Sequence, residues 1–224
     1  MKTFFLDIET TGVTREDKIA SVAIVDEEME LYELINEGKK IPPLASMHNH
    51  ITNEMIADAQ EFHKSDSYDY LQQHNLKQNF CVVANALFVE QMLCSHGLFF
   101  EGEFIDVLRV SKHLIPECEQ YSLEFLRYEL KLYKKEITPL GCSALDDAYK
   151  IGHLFEYLLE LCSLEEMADL SKKKVLLEKF HFGKYLNRYI EEIVAVDRAY
   201  VNWMLSLEEL DEDLRYSLHH YMEG

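Results

Sequence analysis

Apolar residues alternate, or run together briefly, in three stretches near the amino terminus: KTFFLDIE, KIASVAIVDE and MELYELINE. A period of two, or a short apolar run rich in β-branched residues, is a strand pattern, and polar turns separate the three. They predict a meander. GKKIPPLA reads as a loop, and the segments after Thr52 and after Ser65 as short helices with capping residues in front. FCVVA is apolar throughout, as a central strand buried on both faces would be, and Asn85 stands at its exit. A helix is predicted from about Leu87 to Ser95, then a fifth strand over GEFIDVL and a helix over SLEFLRYELKL. A long helix follows over SALDDAYKIGHLFEYLLELC, with apolar positions at Ala148, Ile151, Leu154, Phe155 and Leu158 on one stripe.

Strands come first and then alternate with helices, which predicts an α/β chain with a mixed β-sheet flanked by helices. Ser163 and Glu166 have capping-box spacing and open a helix over SLEEMADLSKKKVLLEKF. The tail after it has its own aromatic set and the chain's single Trp. The expected division is residues 1–162 as the main domain, 163–180 as a helical linker and 181–224 as a small C-terminal module.

Composition narrows the class. Hydrophobic content of 48%, with 8 Gly and 4 Pro, describes a globular chain. MKTFFL has the look of a signal peptide's opening, but Asp7 and Glu9 interrupt it before an apolar h-region forms. No other run approaches membrane-spanning length, so no membrane partner is expected. Five scattered cysteines without C-x-x-C spacing fit neither a disulfide framework nor a zinc site. A cytoplasmic location is the expectation. A formal charge of −19 disfavours sequence-independent binding to a polyanion. Lys172, Lys173, Lys174, Lys179, Lys184 and Arg188 form a local basic exception, read as a solvated helix face.

In LDIET, Asp7 and Glu9 stand two apart on a predicted strand, so both carboxylates leave the same face. Two such acids repel unless a cation lies between them, and a hard ion such as Mg2+ or Mn2+ suits oxygen donors. A strand edge with two solvated acids is the plainer alternative. The following TTG, with a glycine that lets backbone approach a ligand, favours the metal. Asp146 and Asp147 open the long helix, where first-turn acids ordinarily just answer the helix dipole. Their significance comes from order: D-x-E on the first strand, N-A-x-F after a buried strand, then S-A-L-x-D-A.

FLDIETTG, ANALFV and GCSALDDA, in this order, resemble the three motifs of the DnaQ-like, DEDDh family of 3'-5' exonucleases. ITNEMIAD and EFIDVLRVSKHLI between them are similar to the same family, and the likeness spans about residues 1 to 162. The resemblance implies a ribonuclease H-like sheet and two-metal hydrolysis of a 3'-terminal phosphodiester. It implies that Asp7, Glu9 and Asp147 are catalytic metal ligands, and that Thr10, Thr11, Asn85 and Phe88 bind the substrate end.

Three family positions differ, two of them catalytic. The second motif's aspartate falls on Val89, which cannot bind a metal, and its histidine on Ala84. The third motif's histidine, the general base, falls on Cys142. Glu90 would point about 100 degrees away from Val89 on a helix, Asp146 has the same problem beside Asp147, and His153 reads as a packed or exposed residue. A lost general base typically costs about 10² to 10⁴ in rate. The tail resembles an accessory module reading F-G-K-Y-K-G-K, here FGKYLNR.

The expected function is therefore a DnaQ-like protein that binds one divalent ion, with a second in doubt, and engages single-stranded or 3'-end DNA or RNA with impaired or absent hydrolysis. Two other readings stay open: an active metal-dependent exonuclease with a rearranged site, and a non-catalytic protein-interaction module with a protein partner.

Overall fold

The computed structural model describes residues 1–136, 141 and 143–223. Cys142 lies outside the described residues. The chain forms two compact units: Met1–Val110 with Gln120–Ser171, and Ser111–Glu119 with Lys172–Gly224.

The first unit is built on a five-stranded sheet: β1 (Thr3–Thr10), β2 (Ile19–Val25), β3 (Glu30–Leu34), β4 (Phe80–Val83) and β5 (Glu103–Asp106), in the order β3-β2-β1-β4-β5. β1 pairs antiparallel with β2, and β2 with β3, which is the predicted meander. β4 lies parallel to β1 and β5 parallel to β4. β1 is thereby central, and its residues alternate strictly between the two faces. Between β3 and β4 the chain forms α1 (Pro43–Asn49) and α2 (Asp66–Gln73).

One sheet face carries Phe4, Leu6 and Ile8 into the main core, against Leu71 of α2 and Val89, Met92 and Leu93 of α3 (Ala86–Ser95). α4 (Val107–Leu114) and α5 (Leu123–Glu129) follow β5. The other face of β1 carries Phe5, Asp7 and Glu9, and α6 (Ala144–Leu159) packs on β1 and β2. Gly152 makes the close approach possible, because a Cβ there would stand 3.3 Å from the Phe5 ring. The predicted stripe of α6 is the one that is buried.

Four local expectations fail for identifiable reasons. Residues 53–58 form turns instead of a helix. Asn53 there bonds both the amide and the carbonyl of Ile41, at 2.9 and 3.0 Å, so the segment is tied to a loop. The PPLA stretch read as loop starts α1, whose first turn accepts proline because its amide would lack a partner there. GEFIDVL stays a strand only to Asp106, whose carboxylate accepts from the amide of Arg109 at 2.9 Å and starts α4. Finally, α7 (Leu164–Lys172) opens with Ser163 accepting from the Glu166 amide, but stops at Lys172. Beyond it the amides of Val175 and Leu177 go to Asp213 and Ser217, so this stretch cannot continue the helical ladder.

In the second unit, α8 (Ile190–Val196), α9 (Arg198–Leu205) and α10 (Glu212–Glu223) close over Phe180, Ile190, Ile193, Val201, Met204, Leu214 and Leu218. Lys179 and Tyr189 pair antiparallel around a turn in which Gly183 has φ +77°. No helix among the described residues is long and apolar enough to cross a membrane.

Candidate metal centre

The strand period sets the first two carboxylates. With Phe5, Asp7 and Glu9 on one face, the carboxylates project toward the start of α6, where Asp147 joins them. One oxygen from each of Asp7, Glu9 and Asp147 falls within 4.8 Å of the others. Asp146 does not compete for this role. It closes a capping box with Ser143, accepting from the Ser143 amide at 3.1 Å while its own amide donates to the Ser143 hydroxyl at 3.2 Å. The adjacent acids thus divide the work: Asp146 fixes the helix start and Asp147 faces the cluster.

The electrostatics fit a cation. Burial, then Asp147 and Glu9, push the Asp7 carboxyl well above the usual carboxylate range. Burial and Asp147 push Glu9 up to about 7. Each carboxyl wants a proton because its neighbours are negative and its hydration is poor. An all-oxygen set in that condition suits a hard divalent ion, which would supply the missing positive charge.

Lys150, one turn along α6 and 4% exposed, is a part of the site that the motif pattern does not reveal. Its ammonium lies 2.8 Å from Asp147 Oδ1, 2.6 Å from the Gly141 carbonyl and 3.1 Å from Glu124 Oε2. The pairing raises the lysine pKa even though burial opposes it. Asp147 nevertheless stays above an ordinary aspartate, because burial, helped by Asp146 and Glu124, outweighs the lysine. A buried i, i+3 lysine is its only sequence signal.

The TTG loop is held from behind. Thr10 and Thr11 are both buried. Thr10 donates its hydroxyl to the Gly12 carbonyl at 2.6 Å, and Thr11 donates to Asp17 Oδ1 at 2.9 Å. Asp17 also accepts from the Thr14 amide and hydroxyl and from Lys39, at 2.7 to 2.9 Å. These donors, Lys39 foremost, hold its carboxyl far below the usual range although burial opposes them. A Cβ on Gly12 would stand 2.6 Å from the Asp17 carboxylate. The glycine therefore makes room for Asp17, where the sequence had suggested room for a ligand.

An exonuclease family model, RNase_T, matches residues 4–155. The chain belongs to the DnaQ-like family of 3'-5' exonucleases. It is 28% identical over 228 residues to Exodeoxyribonuclease 10 of Escherichia coli K12, covering 98% of each chain. A structure of Exonuclease X in complex with 5' overhanging duplex DNA superposes with a TM-score of 0.60 at 25% identity, covering 75% of this chain and 99% of that one. The nuclease domain of 3'hExo, a DEDDh family member bound to rAMP, shares the fold at a TM-score of 0.56 and 14% identity, over 70% of this chain and 91% of that one. The predicted ribonuclease H-like sheet is the one these structures share.

Within this DnaQ-like frame, the second-motif segment forms the end of β4 and the start of α3. β4 runs parallel to β1 with Phe5 opposite Val82 and ends at Val83, and Asn85 follows it. Asn85 is the N-cap of α3, its Oδ1 accepting from the Phe88 amide at 3.1 Å. Asp106 braces the same turn by accepting from the Ala86 amide at 3.0 Å. Phe88 packs against the main core and Val89 is 4% exposed within it. Glu90 is exposed and stands outside the carboxylate cluster. His153 is partly buried, and burial lowers its pKa.

Proposed function

We propose that this exonuclease-family chain binds one divalent cation, Mg2+ or Mn2+, through Asp7, Glu9 and Asp147, and engages the 3' end of a nucleic-acid strand with weak or no hydrolysis. The nuclease reading is placed on residues 1–162. The single observation that carries it is the convergence of the three carboxylates, each made hard to ionise by the other two or by burial. Val89, buried where the family motif has an acid, supports one ion over two. The name of the Escherichia coli relative and the DNA in the Exonuclease X structure support DNA as the strand.

A bound ion would polarise a phosphoryl oxygen and stabilise charge on the leaving oxygen. The protein's own share is to position groups. Asp7 and Glu9 are fixed by the central strand, Asp147 by the capped start of α6 and by Lys150. The TTG loop, with its hydroxyls already engaged, offers a braced backbone to the terminal nucleotide, while Asn85 and Phe88 form the α3 side of the rim. Cys142 stands at the position the family gives to its general base, where a thiol is a poor substitute for an imidazole.

The test is Mn2+ binding by calorimetry or electron paramagnetic resonance, together with a 3'-end degradation assay. One ion per chain, lost in Asp7→Ala, with at most slow digestion of a single strand, is the expected result. Fast Asp7-dependent digestion overturns the impairment and leaves the rearranged active site as the reading. Absence of metal binding overturns the metal assignment itself.

A further inference from the structure

The sequence reading treats the basic stretch after residue 172 as a solvated helix face, but the helix ends at Lys172. The segment from Lys179 to Tyr189 instead folds back on itself, with Phe180 and Arg188 bonded through their backbones at 3.0 Å and Lys179 paired with Tyr189. In a chain of formal charge −19, this segment carries Lys179, Lys184 and Arg188 and has no Asp or Glu.

Its cations are interleaved with rings. Lys184 lies over the Tyr185 ring at 4.6 Å and the Tyr200 ring at 5.7 Å, and Lys179 over Tyr189 at 4.8 Å. Tyr185 meets Tyr200 edge-on at 5.0 Å, and Tyr200 lies 5.5 Å from Trp203. Asp197 holds the arrangement, accepting from Lys184 at 3.0 Å and from the Tyr185 hydroxyl at 2.6 Å. Lys184 and Tyr185 are thus fixed in place, while Trp203 stays 55% exposed and Tyr189 48% exposed. Each of these exposed rings has a close aromatic or cationic neighbour, Tyr200 beside Trp203 and Lys179 over Tyr189.

We propose that the second unit presents a binding surface for single-stranded nucleic acid, with Trp203 and Tyr189 as stacking rings and Lys179 and Arg188 as phosphate contacts. Every base has a face that can stack on an aromatic ring, and a strand's phosphates need local positive charge, which this acid-free segment carries. Arg188 is paired with Glu192 at 3.1 Å, but both side chains are more than half exposed, and such a pair is weak enough for a phosphate to replace the carboxylate. Lys184 serves to hold the rings.

The single tryptophan makes the test direct. Full-length protein is titrated with oligothymidylate and, separately, oligouridylate, in a chelator so that the strand stays intact. Binding to either quenches Trp203 emission and weakens steeply with added salt. Fluorescence anisotropy of a labelled strand then shows about tenfold or greater loss in Trp203→Ala, most binding retained in Trp203→Phe, and a similar loss in the Lys179→Glu, Arg188→Glu double variant, whose exposed positions leave folding intact. Asp7→Ala leaves the quench unchanged, which separates this surface from the metal centre. Unaltered emission with both strands overturns the proposal, as does binding that none of these unit-two variants weakens.

Discussion

Lys150 places its ammonium 2.8 Å from Asp147 Oδ1, so one of the three clustered carboxylates already has a cation of the protein's own. The same ammonium holds Glu124 and the Gly141 carbonyl and thereby ties α5 and residue 141 to the start of α6. Replacing it with methionine leaves Asp147 and the Gly141 carbonyl without this partner, and leaves Glu124 with Arg127 alone. The loss is discounted because Glu124 is half exposed, which gives a cost of about 1 to 3 kcal/mol. Lys150→Met should lower the melting temperature of the metal-free protein by several degrees. Mn2+ should restore more stability to the variant than to the parent, because it then supplies the only positive charge at Asp147. Equal Mn2+ effects in the two proteins would show that Lys150 and the ion do not share that carboxylate.

What could be read from the sequence, and what could not, divides by the range of the interactions. The Asp7–Glu9 pair was legible because a period of two fixes a face, and the stripe of α6 because a helix buries every third or fourth residue. The order of the motifs then located Asp147. Asp17 and Lys150 escaped because their partners are set by tertiary contacts: Asp17 reaches back to Thr11 and across to Lys39, and Lys150 reaches Glu124 on another helix. The end of α7 was hidden for the same reason, since its successor amides are captured by Asp213 and Ser217 on α10.

Asp7 is held in a negative surrounding that raises its pKa. Making it neutral removes a repulsion from the metal-free fold while deleting the proposed central ligand. Asp7→Asn should therefore raise the melting temperature without metal, by about 2 to 6 °C for roughly 1 kcal/mol or slightly more in a chain of this size. The parent should gain stability with increasing Mn2+ and the variant should not. Thermal scans across an Mn2+ series check both halves, and a parent indifferent to Mn2+ would remove the basis for a metal centre.

Asp26 supplies a pH dependence of the opposite kind. Its fully buried carboxylate accepts from Lys2 at 2.7 Å, Tyr70 at 2.5 Å and the amides of Glu28 and Met29 at 2.7 and 3.0 Å. These donors, with Lys2 foremost, overcome burial and lower its pKa to about 2. A carboxyl with a depressed folded pKa contributes stability above its ordinary value, and that contribution is lost as the pH falls through the folded one. The parent should lose about 2 kcal/mol from this group between roughly pH 4 and pH 2. Asp26→Ala should be less stable at neutral pH and show a shallower acid loss over that window. Parallel acid profiles would show that the four donors do not stabilise the ionised form.

Val89 gives the sharpest test of how many ions the site can hold. It is 4% exposed and packs with Met92 and Leu93 on the buried side of α3. An aspartate there must be dehydrated without a partner, so Val89→Asp should destabilise the metal-free protein by several kcal/mol, more than typical surface changes by a wide margin. If the position is the family's missing ligand, excess Mn2+ supplies that partner: most of the lost stability returns and a second ion binds per chain. The readouts are the melting temperature and the Mn2+ stoichiometry of one variant. Destabilisation that Mn2+ leaves untouched would place Val89 in the core alone and detach the number of ions from the identity of this residue.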